Sequence, residues 1–291
     1  MGNDSSLSPE YNFDIQKIIE AQRQKMDVEI EYAEEPKLTS AEYGKLGNQF
    51  LQNNDKGSAF ISYAKALESD PDNTSILYAQ AILLLEKDLY YAASLKFQKI
   101  SEIDPKNVLA FEGLGKSYFG LNKLDEAENA FSQAITIDSR LWQSYNFLGL
   151  IYSQRKNFDS AIANYKKAID FNPDNTELIN NLAVSYYLTR NYEGAIELLT
   201  KAAKKGADKR IFNNLALSYC RVGKYDDALQ AFLAGNDEAA AYNNIGYEYL
   251  MNEKYEEAIN AFNKAISINP QFYEKAFNNM SSAKKAMRGS Y

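Results

Sequence analysis

Residues 142–175 read WQSYNFLGLIYSQRKNFDSAIANYKKAIDFNPDN, and this stretch decides the fold class. Its first half contains four residues whose positions differ by three, one and three, a spacing that places them on one stripe of an α-helix: Tyr145, Leu148, Gly149 and Tyr152. A short polar segment follows, and apolar residues then return with helical spacing as far as Phe171. Pro173 ends the pattern, because proline cannot continue a helix. The stretch therefore predicts two amphipathic helices joined by a tight turn.

Small and large residues alternate within this predicted hairpin. Gly149 and Ala161 are small, whereas Tyr152 and Tyr165 nearby carry large rings. This alternation indicates two helices that approach closely, with aromatic rings filling the space on either side. One hairpin cannot cover its own apolar faces, so it needs a similar hairpin on each side.

The chain contains such copies at a constant interval. An alanine of the second helix returns every 34 residues, and then twice more at shorter intervals: Ala59, Ala93, Ala127, Ala161, Ala195, Ala228 and Ala258. The Leu-Gly pair of the first helix returns as Leu46-Gly47, Leu114-Gly115 and Leu148-Gly149. An aromatic residue follows this pair in most copies, for example Tyr118 and Tyr186. The chain is therefore a tandem array of hairpins.

The repeated pattern of an early aromatic, Leu-Gly, Tyr, Ala, Phe or Tyr, Ala and Pro resembles the tetratricopeptide repeat (TPR) family. The resemblance extends from about Ser40 to Met287. It implies an all-α fold, a right-handed α-α superhelix or TPR solenoid, whose first helices line a concave groove that binds peptides or protein segments.

The resemblance and the spacing predict the following organisation. Residues 1–39 form a polar tail with one amphipathic helix at 13–32, and residues 40–291 form the solenoid. We expect seven repeats at 40–73, 74–107, 108–141, 142–175, 176–208, 209–238 and 239–272, followed by a capping helix at 273–287. The sixth repeat is about four residues short, so we expect irregular packing there.

The amino-terminal segment leaves several alternatives open. Its amphipathic run at 13–32 either caps the first repeat or lies in a groove, its own or that of a second copy through which the chain oligomerises. Met1-Gly2 followed by Ser6 fits a myristoylation template, although it is open whether Met1-Gly2 is native. Two locations also stay open: the cytoplasm, or the periplasm and envelope if an export signal has been removed.

Composition argues against several classes of partner. The net charge of -7 and the isoelectric point near 5.0 disfavour nucleic acid, whose phosphates need clustered Lys and Arg. The sequence has no run of 18 apolar residues, so it predicts no transmembrane segment. The single Cys220 excludes an internal disulfide.

Catalytic patterns are also missing from the sequence. The chain has no histidine, which excludes His-based acid-base chemistry and His-containing metal sites. It also has no Gly-rich phosphate loop. Carboxylate pairs such as Asp226-Asp227 begin second helices, where a negative charge interacts favourably with the helix dipole. The sequence therefore predicts a protein that is not an enzyme, with no catalytic residue, no metal site and no cofactor.

The family resemblance places the outward residues of each first helix on the groove. The predicted peptide-binding residues in repeats four to seven are amides and apolar side chains: Asn146, Leu150, Asn180, Asn181, Val184, Tyr187, Asn213, Asn214, Leu217, Asn243, Asn244 and Tyr247. Such a row of asparagines either pairs with the backbone of an extended partner or bonds to the adjacent helix and to water. Apolar contacts should supply most of the affinity, because burying one Leu or Tyr contributes about 1.5–3 kcal/mol.

The leading functional hypothesis is a scaffold or adaptor that binds a peptide or protein segment in this groove. One alternative is a bacterial factor for pilus or secretion assembly, and another is a regulatory peptide sensor. Chaperone-tail binding is not expected. The clamp of Lys, Asn and Arg that it requires is replaced by residues such as Gly44, Ala79 and Glu112.

Overall fold

The computed structural model describes residues 38–205, 208–270 and 273–289, and these residues form fifteen α-helices and no strand. The all-α repeat fold predicted from the sequence is confirmed. The predicted amino-terminal helix at 13–32 and the Met1-Gly2 motif lie outside the described residues. None of the described helices is both long enough and apolar enough to cross a membrane.

The helices alternate along the chain as first and second helices, and a first helix forms a hairpin with the second helix that packs against it. The first three pairs are α1 (Ser40–Gln52) and α2 (Lys56–Ser69), α3 (Thr74–Leu85) and α4 (Tyr90–Ile103), and α5 (Val108–Gly120) and α6 (Leu124–Ile137). The next two are α7 (Trp142–Gln154) and α8 (Phe158–Phe171), and α9 (Thr176–Leu188) and α10 (Tyr192–Ala203). The last are α11 (Lys209–Arg221) and α12 (Tyr225–Gly235), and α13 (Glu238–Met251) and α14 (Tyr255–Ile268), before α15 (Tyr273–Gly289).

Packing groups these helices into two compact units, with the boundary between Leu121 and Asn122. The first unit contains α1 to α5 and the second contains α6 to α15. Within each unit every helix packs against the next one along the chain. In the second unit the first helices also contact one another in the pairs α7 with α9, α9 with α11, and α13 with α15.

Asparagine and aspartate begin several of the first helices. The Asn107 carboxamide oxygen accepts a hydrogen bond from the Ala110 amide at 3.1 Å, and the Asp237 carboxylate accepts one from the Ala240 amide at 2.9 Å. Each cap satisfies an N–H group that has no partner inside the helix. These residues therefore fix where the first helices begin.

The turn inside each hairpin contains one residue with a positive φ angle. These residues are Asn54, Asp88, Asn122, Lys156, Arg190, Gly223 and Glu253, and their φ angles lie between 56° and 77°. The left-handed conformation reverses the chain after the first helix. Only the sixth hairpin uses glycine, for which this conformation has no steric cost.

Replacing Gly223 with alanine is expected to lower the free energy of unfolding by about 1 kcal/mol, because a Cβ atom disfavours the left-handed region. No atom lies within 4 Å of the place where that Cβ would stand, so the loss comes from the backbone alone. Urea denaturation followed by circular dichroism measures it. The control is Gly223→Asn, which should lose less, since Asn54 and Asn122 adopt this conformation. Equal losses for the two variants would contradict this explanation.

A glycine in the first helix allows close contact with a ring of the second. A Cβ atom at Gly149 in α7 would lie 2.4 Å from Cε1 of Tyr165 in α8, and Tyr165 is only 1% exposed. The same arrangement joins Gly246 in α13 to the buried ring of Phe262 in α14. The absence of a side chain at these glycines is therefore what lets each pair of helices approach.

The sixth hairpin departs from the others in length. Its second helix, α12, has 11 residues, whereas α8 and α14 have 14 each. Only Asn236 and Asp237 separate α12 from α13. Over residues 208–270, α11 and α13 lie less closely together than the other successive first helices of this unit. The short hairpin therefore leaves a gap between these two helices.

Candidate functional site

The first helices of the second unit, α7, α9, α11 and α13, together with α15, carry the candidate site, and we call their outward surface the first-helix face. All twelve residues predicted as peptide-binding lie on these helices. Asn146 and Asn243 are buried, with 8% and 2% exposure, while Tyr247 is 47% exposed. The other nine are half-buried: Leu150, Asn180, Asn181, Val184, Tyr187, Asn213, Asn214, Leu217 and Asn244.

Several of the asparagines pair with one another between successive first helices. The Asn181 carboxamide donates from Nδ2 to Oδ1 of Asn146 at 3.2 Å, and Asn214 donates in the same way to Asn180 at 2.6 Å. These bonds match the alternative in which the amides bond to the adjacent helix. A carboxamide has two N–H donors and an oxygen with two lone pairs, so each pair retains unused donors and acceptors.

The row of amide pairs changes at the short sixth hairpin. Asn236, in the turn after α12, donates from Nδ2 to Oδ1 of Asn213 at 2.7 Å and to the Phe232 carbonyl at 2.9 Å. The regular spacing would give this position to Asn244, for which no hydrogen bond is found among the described residues. The regular pairing resumes at the next step, where Asn243 accepts from Asn279 of α15 at 3.2 Å. Asn244 is therefore left with an unpaired amide.

Tyr187 is held in place by residues that the sequence analysis did not select. The Arg221 guanidinium donates from Nε to the Tyr187 hydroxyl at 2.6 Å. The Tyr187 ring also meets the Tyr192 ring edge-on, with 5.4 Å between centroids. These contacts tie α9 to α10 and α11, so Tyr187 has a structural role in this part of the face.

A pocket of about 440 Å³ occupies the gap between α11 and α13 and extends to α15. Five predicted residues line it: Asn213, Leu217, Asn243, Asn244 and Tyr247. Four further lining residues were not among the predicted site residues: Phe232, Glu248, Lys275 and Asn279. We call this cavity the Glu248 pocket.

Glu248 is the chemically unusual residue of this pocket. Only 6% of its surface is exposed, and its Oε2 atom has no hydrogen-bond partner among the described residues. The Arg221 guanidinium lies near it, but Nη1 is 3.7 Å from Oε2, which is too far for a hydrogen bond. Burial raises the pKa of the Glu248 carboxyl, and the positive charge of Arg221 opposes this only in part. In the sequence, the position of Glu248 four residues after Asn244 indicated that both side chains lie on the same face of the helix.

The neighbouring Cys220 is 2% exposed. Burial, together with the negative charge of Glu248, raises the pKa of its thiol to about 12. The thiol is therefore protonated at neutral pH, as expected for a residue that packs in the core. Within the described ranges, no group of three or more His, Cys, Asp or Glu side chains is arranged to hold a metal ion.

Family models for the tetratricopeptide repeat match residues 110–140, 177–205 and 239–272, and one for the TPR repeat matches residues 149–189. These matches fall on hairpins of both units. They cover the stretch from Gly149 that first defined the repeat in the sequence.

A curated relative is the small glutamine-rich tetratricopeptide repeat-containing protein 2 of Mycosarcoma maydis, 28% identical over 102 residues. The match covers 35% of this chain and spans 29% of that protein. A solved tetratricopeptide repeat protein from Parabacteroides merdae has a TM-score of 0.59 and 18% identity, over 84% of this chain and 98% of that one. YrrB has a TM-score of 0.54 and 22% identity, over 66% of this chain and 97% of that one. These two structures share the fold, and together with the family models and the repeated hairpins they lead to one conclusion: the chain is a tetratricopeptide repeat protein.

Proposed function

We propose that this chain binds an extended segment of a partner protein on the first-helix face of its second unit and that it has no catalytic activity. The partner's backbone bonds to the asparagine amides, and its apolar side chains pack on Leu217 and Tyr247. The opening between α11 and α13 is the centre of the contact.

The repeat family gives the general part of this proposal its support, because tetratricopeptide repeats act in protein–protein interaction. YrrB, whose structure is described as having an unusual peptide-binding site, shares this fold. The location on the second unit rests on the chain's own residues.

The Glu248 pocket is the main observation that supports binding at this place on the protein. It combines an exposed aromatic ring, that of Tyr247, with the unpaired amide of Asn244 in a concavity large enough for one or two side chains. Met251, one turn further along α13, is 58% exposed and extends this apolar surface. Exposed apolar residues around polar groups with unused hydrogen-bonding capacity are typical of a surface that binds another polypeptide.

The amide pairs support recognition of a backbone. Asn146, Asn180 and Asn243 are already oriented by hydrogen bonds to the next helix, so binding costs little side-chain entropy. Each added hydrogen bond contributes about 0.5–1.5 kcal/mol, whereas burial of the Tyr247 ring contributes about 1.5–3 kcal/mol. Apolar contacts therefore supply most of the affinity, and the amides set the direction of the bound chain.

Linear peptides selected from a displayed library on the wild-type protein provide the test. Replacing Asn244 with alanine removes a side chain that has no partner inside the described protein, so the fold stays intact. We expect weaker binding by about 0.5–1.5 kcal/mol, nearly equal for selected peptides of unrelated sequence, because the amide contacts backbone. Tyr247→Ala should weaken binding by an amount that varies with peptide sequence. Fluorescence anisotropy measures both effects.

The matched control is Asn263→Ala, an exposed asparagine on the second helix α14. It should leave peptide affinity unchanged. Wild-type affinity for both the Asn244 and the Tyr247 variants, or a library that yields no binding peptide, would overturn the proposed function.

A further inference from the structure

We propose, as an extension of the proposed function and resting on it, that the bound segment inserts an arginine side chain into the Glu248 pocket, where its guanidinium pairs with the Glu248 carboxylate. The proposal assigns the partner a chemical feature, a basic side chain at one position of an extended segment. It rests on the burial of Glu248, its missing hydrogen bond and the groups around it.

The Glu248 carboxylate lacks the partner that a buried charge needs. It is 6% exposed, and its Oε2 atom makes no hydrogen bond to any residue that the structure describes. A buried carboxylate without a hydrogen-bonded cation is unfavourable, because it loses water and, here, gains only the attraction of Arg221 at 3.7 Å. An incoming cation with N–H donors removes this cost, so the site favours a basic group over a neutral one.

Arg221 does not satisfy Glu248 in this structure. Its Nε donates to the Tyr187 hydroxyl at 2.6 Å, while its Nη1 stays 3.7 Å from Glu248 Oε2. Its side chain is 33% exposed, so water screens part of its charge. The carboxylate therefore keeps the capacity to accept hydrogen bonds from a second cation.

The walls of the pocket fit the rest of an arginine side chain. Leu217 and Phe232 offer apolar surface for its methylene groups, which pack on such surfaces while the charged end is held elsewhere. The exposed ring of Tyr247 offers a face on which a planar guanidinium stacks. The amide oxygen of Asn244 is a further acceptor for the five N–H groups of a guanidinium. Lysine would use fewer of these contacts.

Lys275 is the cation among the described lining residues of the pocket, and it is exposed on α15. Its charge is hydrated, so its repulsion of a bound arginine is weak. The opposite assignment, a partner carboxylate bound by Lys275, would bring a second negative charge to the buried Glu248. The two assignments predict opposite effects of removing Lys275, which makes them separable by experiment.

The raised pKa of Glu248 agrees with this assignment. Burial is its main cause, and the titratable groups that interact with the carboxyl are Arg221 and, when ionised, Cys220 and Tyr225. A carboxyl with a raised pKa is held in an environment that disfavours its negative charge. A bound guanidinium reverses this by favouring the ionised form.

The experiment compares library-selected peptides that contain arginine with copies in which citrulline, a neutral side chain of the same shape, replaces each arginine in turn. For one arginine position we expect the exchange to weaken binding to the wild-type protein about tenfold or more. In the Glu248→Gln protein, the exchange of arginine for citrulline should change affinity by less than about twofold, since the carboxylate that pairs with the arginine is gone. Lys275→Gln should leave affinity for the arginine peptide unchanged or raise it.

A folding control accompanies the Glu248 variant. Glutamine keeps the shape of the side chain and removes a buried charge that Arg221 compensates only in part, so the thermal midpoint of Glu248→Gln should equal or exceed that of the wild type. Circular dichroism measures this midpoint in the absence of peptide.

The outcomes separate this inference from the function on which it rests. If Asn244→Ala and Tyr247→Ala weaken the peptides but the citrulline exchange costs the same in wild type and Glu248→Gln, the arginine assignment is overturned and the binding face stands. If Lys275→Gln removes binding while Glu248→Gln preserves it, the pocket takes a carboxylate and the assignment is overturned. If no peptide binds, both proposals are overturned.

Discussion

Replacing Phe262 with alanine is expected to lower the free energy of unfolding by about 3–5 kcal/mol, the largest effect that we expect from any single change described for this chain. Phe262 is fully buried, and its ring lies against the α13 backbone at Gly246 and within a cluster that includes Ala265 and Met280. The truncation leaves a cavity where α13, α14 and α15 meet, which weakens the support of the Glu248 pocket. Urea denaturation followed by circular dichroism measures the loss.

The control for this prediction is Phe277→Ala on α15, where the ring is 40% exposed. Its loss should be clearly smaller than that of Phe262→Ala, because a ring that is 40% exposed gives up less buried surface. Hydrogen exchange should show that the Phe262 variant loses protection first in α13 to α15, since each hairpin is stabilised by its neighbours. Equal losses at the two positions would contradict the packing described for Phe262.

Replacing Gly149 with alanine is expected to lower the free energy of unfolding by about 1–3 kcal/mol, although alanine is the better helix former. The new Cβ atom would lie 2.4 Å from Cε1 and 2.6 Å from Cδ1 of Tyr165. Since Tyr165 is 1% exposed, its ring has no free space into which to move. Either the ring or the whole of α8 has to shift.

A second substitution tests this explanation. In the next repeat Ala183 and Leu199 occupy the places of Gly149 and Tyr165, 34 residues further along. Adding Tyr165→Leu to Gly149→Ala recreates that pair, so the double variant should lose less stability than the sum of the two single losses. The expected coupling is about 1 kcal/mol, measured by a double-mutant cycle in urea. Strict additivity would show that contact with the ring is not the cause.

The fold could be predicted from the sequence because its signals are local and repeated. The spacing of apolar residues in 142–175 indicates two helices, and the structure has them at Trp142–Gln154 and Phe158–Phe171. Turn chemistry alone would not have been enough. Lys156 and Arg190 take left-handed conformations in the hairpin turns, and neither residue type signals such a turn. The position of each turn was evident only from the 34-residue period.

The candidate site could be predicted only in part. Equivalent positions in successive repeats placed Asn213, Asn244 and Tyr247 on the same face, and the structure brings all three to one pocket. Register did not show which asparagines bond to each other, because those bonds depend on the distance between neighbouring first helices. It also did not single out Glu248, whose missing hydrogen bond follows from the gap beside it. The sequence signal for that gap was the missing residues of the sixth repeat.

Under the proposed function, the two-residue link after α12 also constrains the sequence of the bound segment. From α7 to α11, equivalent positions on successive first helices follow at nearly constant chain intervals, so a bound strand meets like groups at an even step. Past Asn236 the order of amide pairs changes. Asn244 is unpaired, whereas its counterparts Asn181 and Asn214 each bond to an asparagine of the preceding first helix. A ligand motif with uniform spacing would lose register at that point. The recognised motif should therefore consist of two blocks, with an offset between the residues that face α9 and those that face α13.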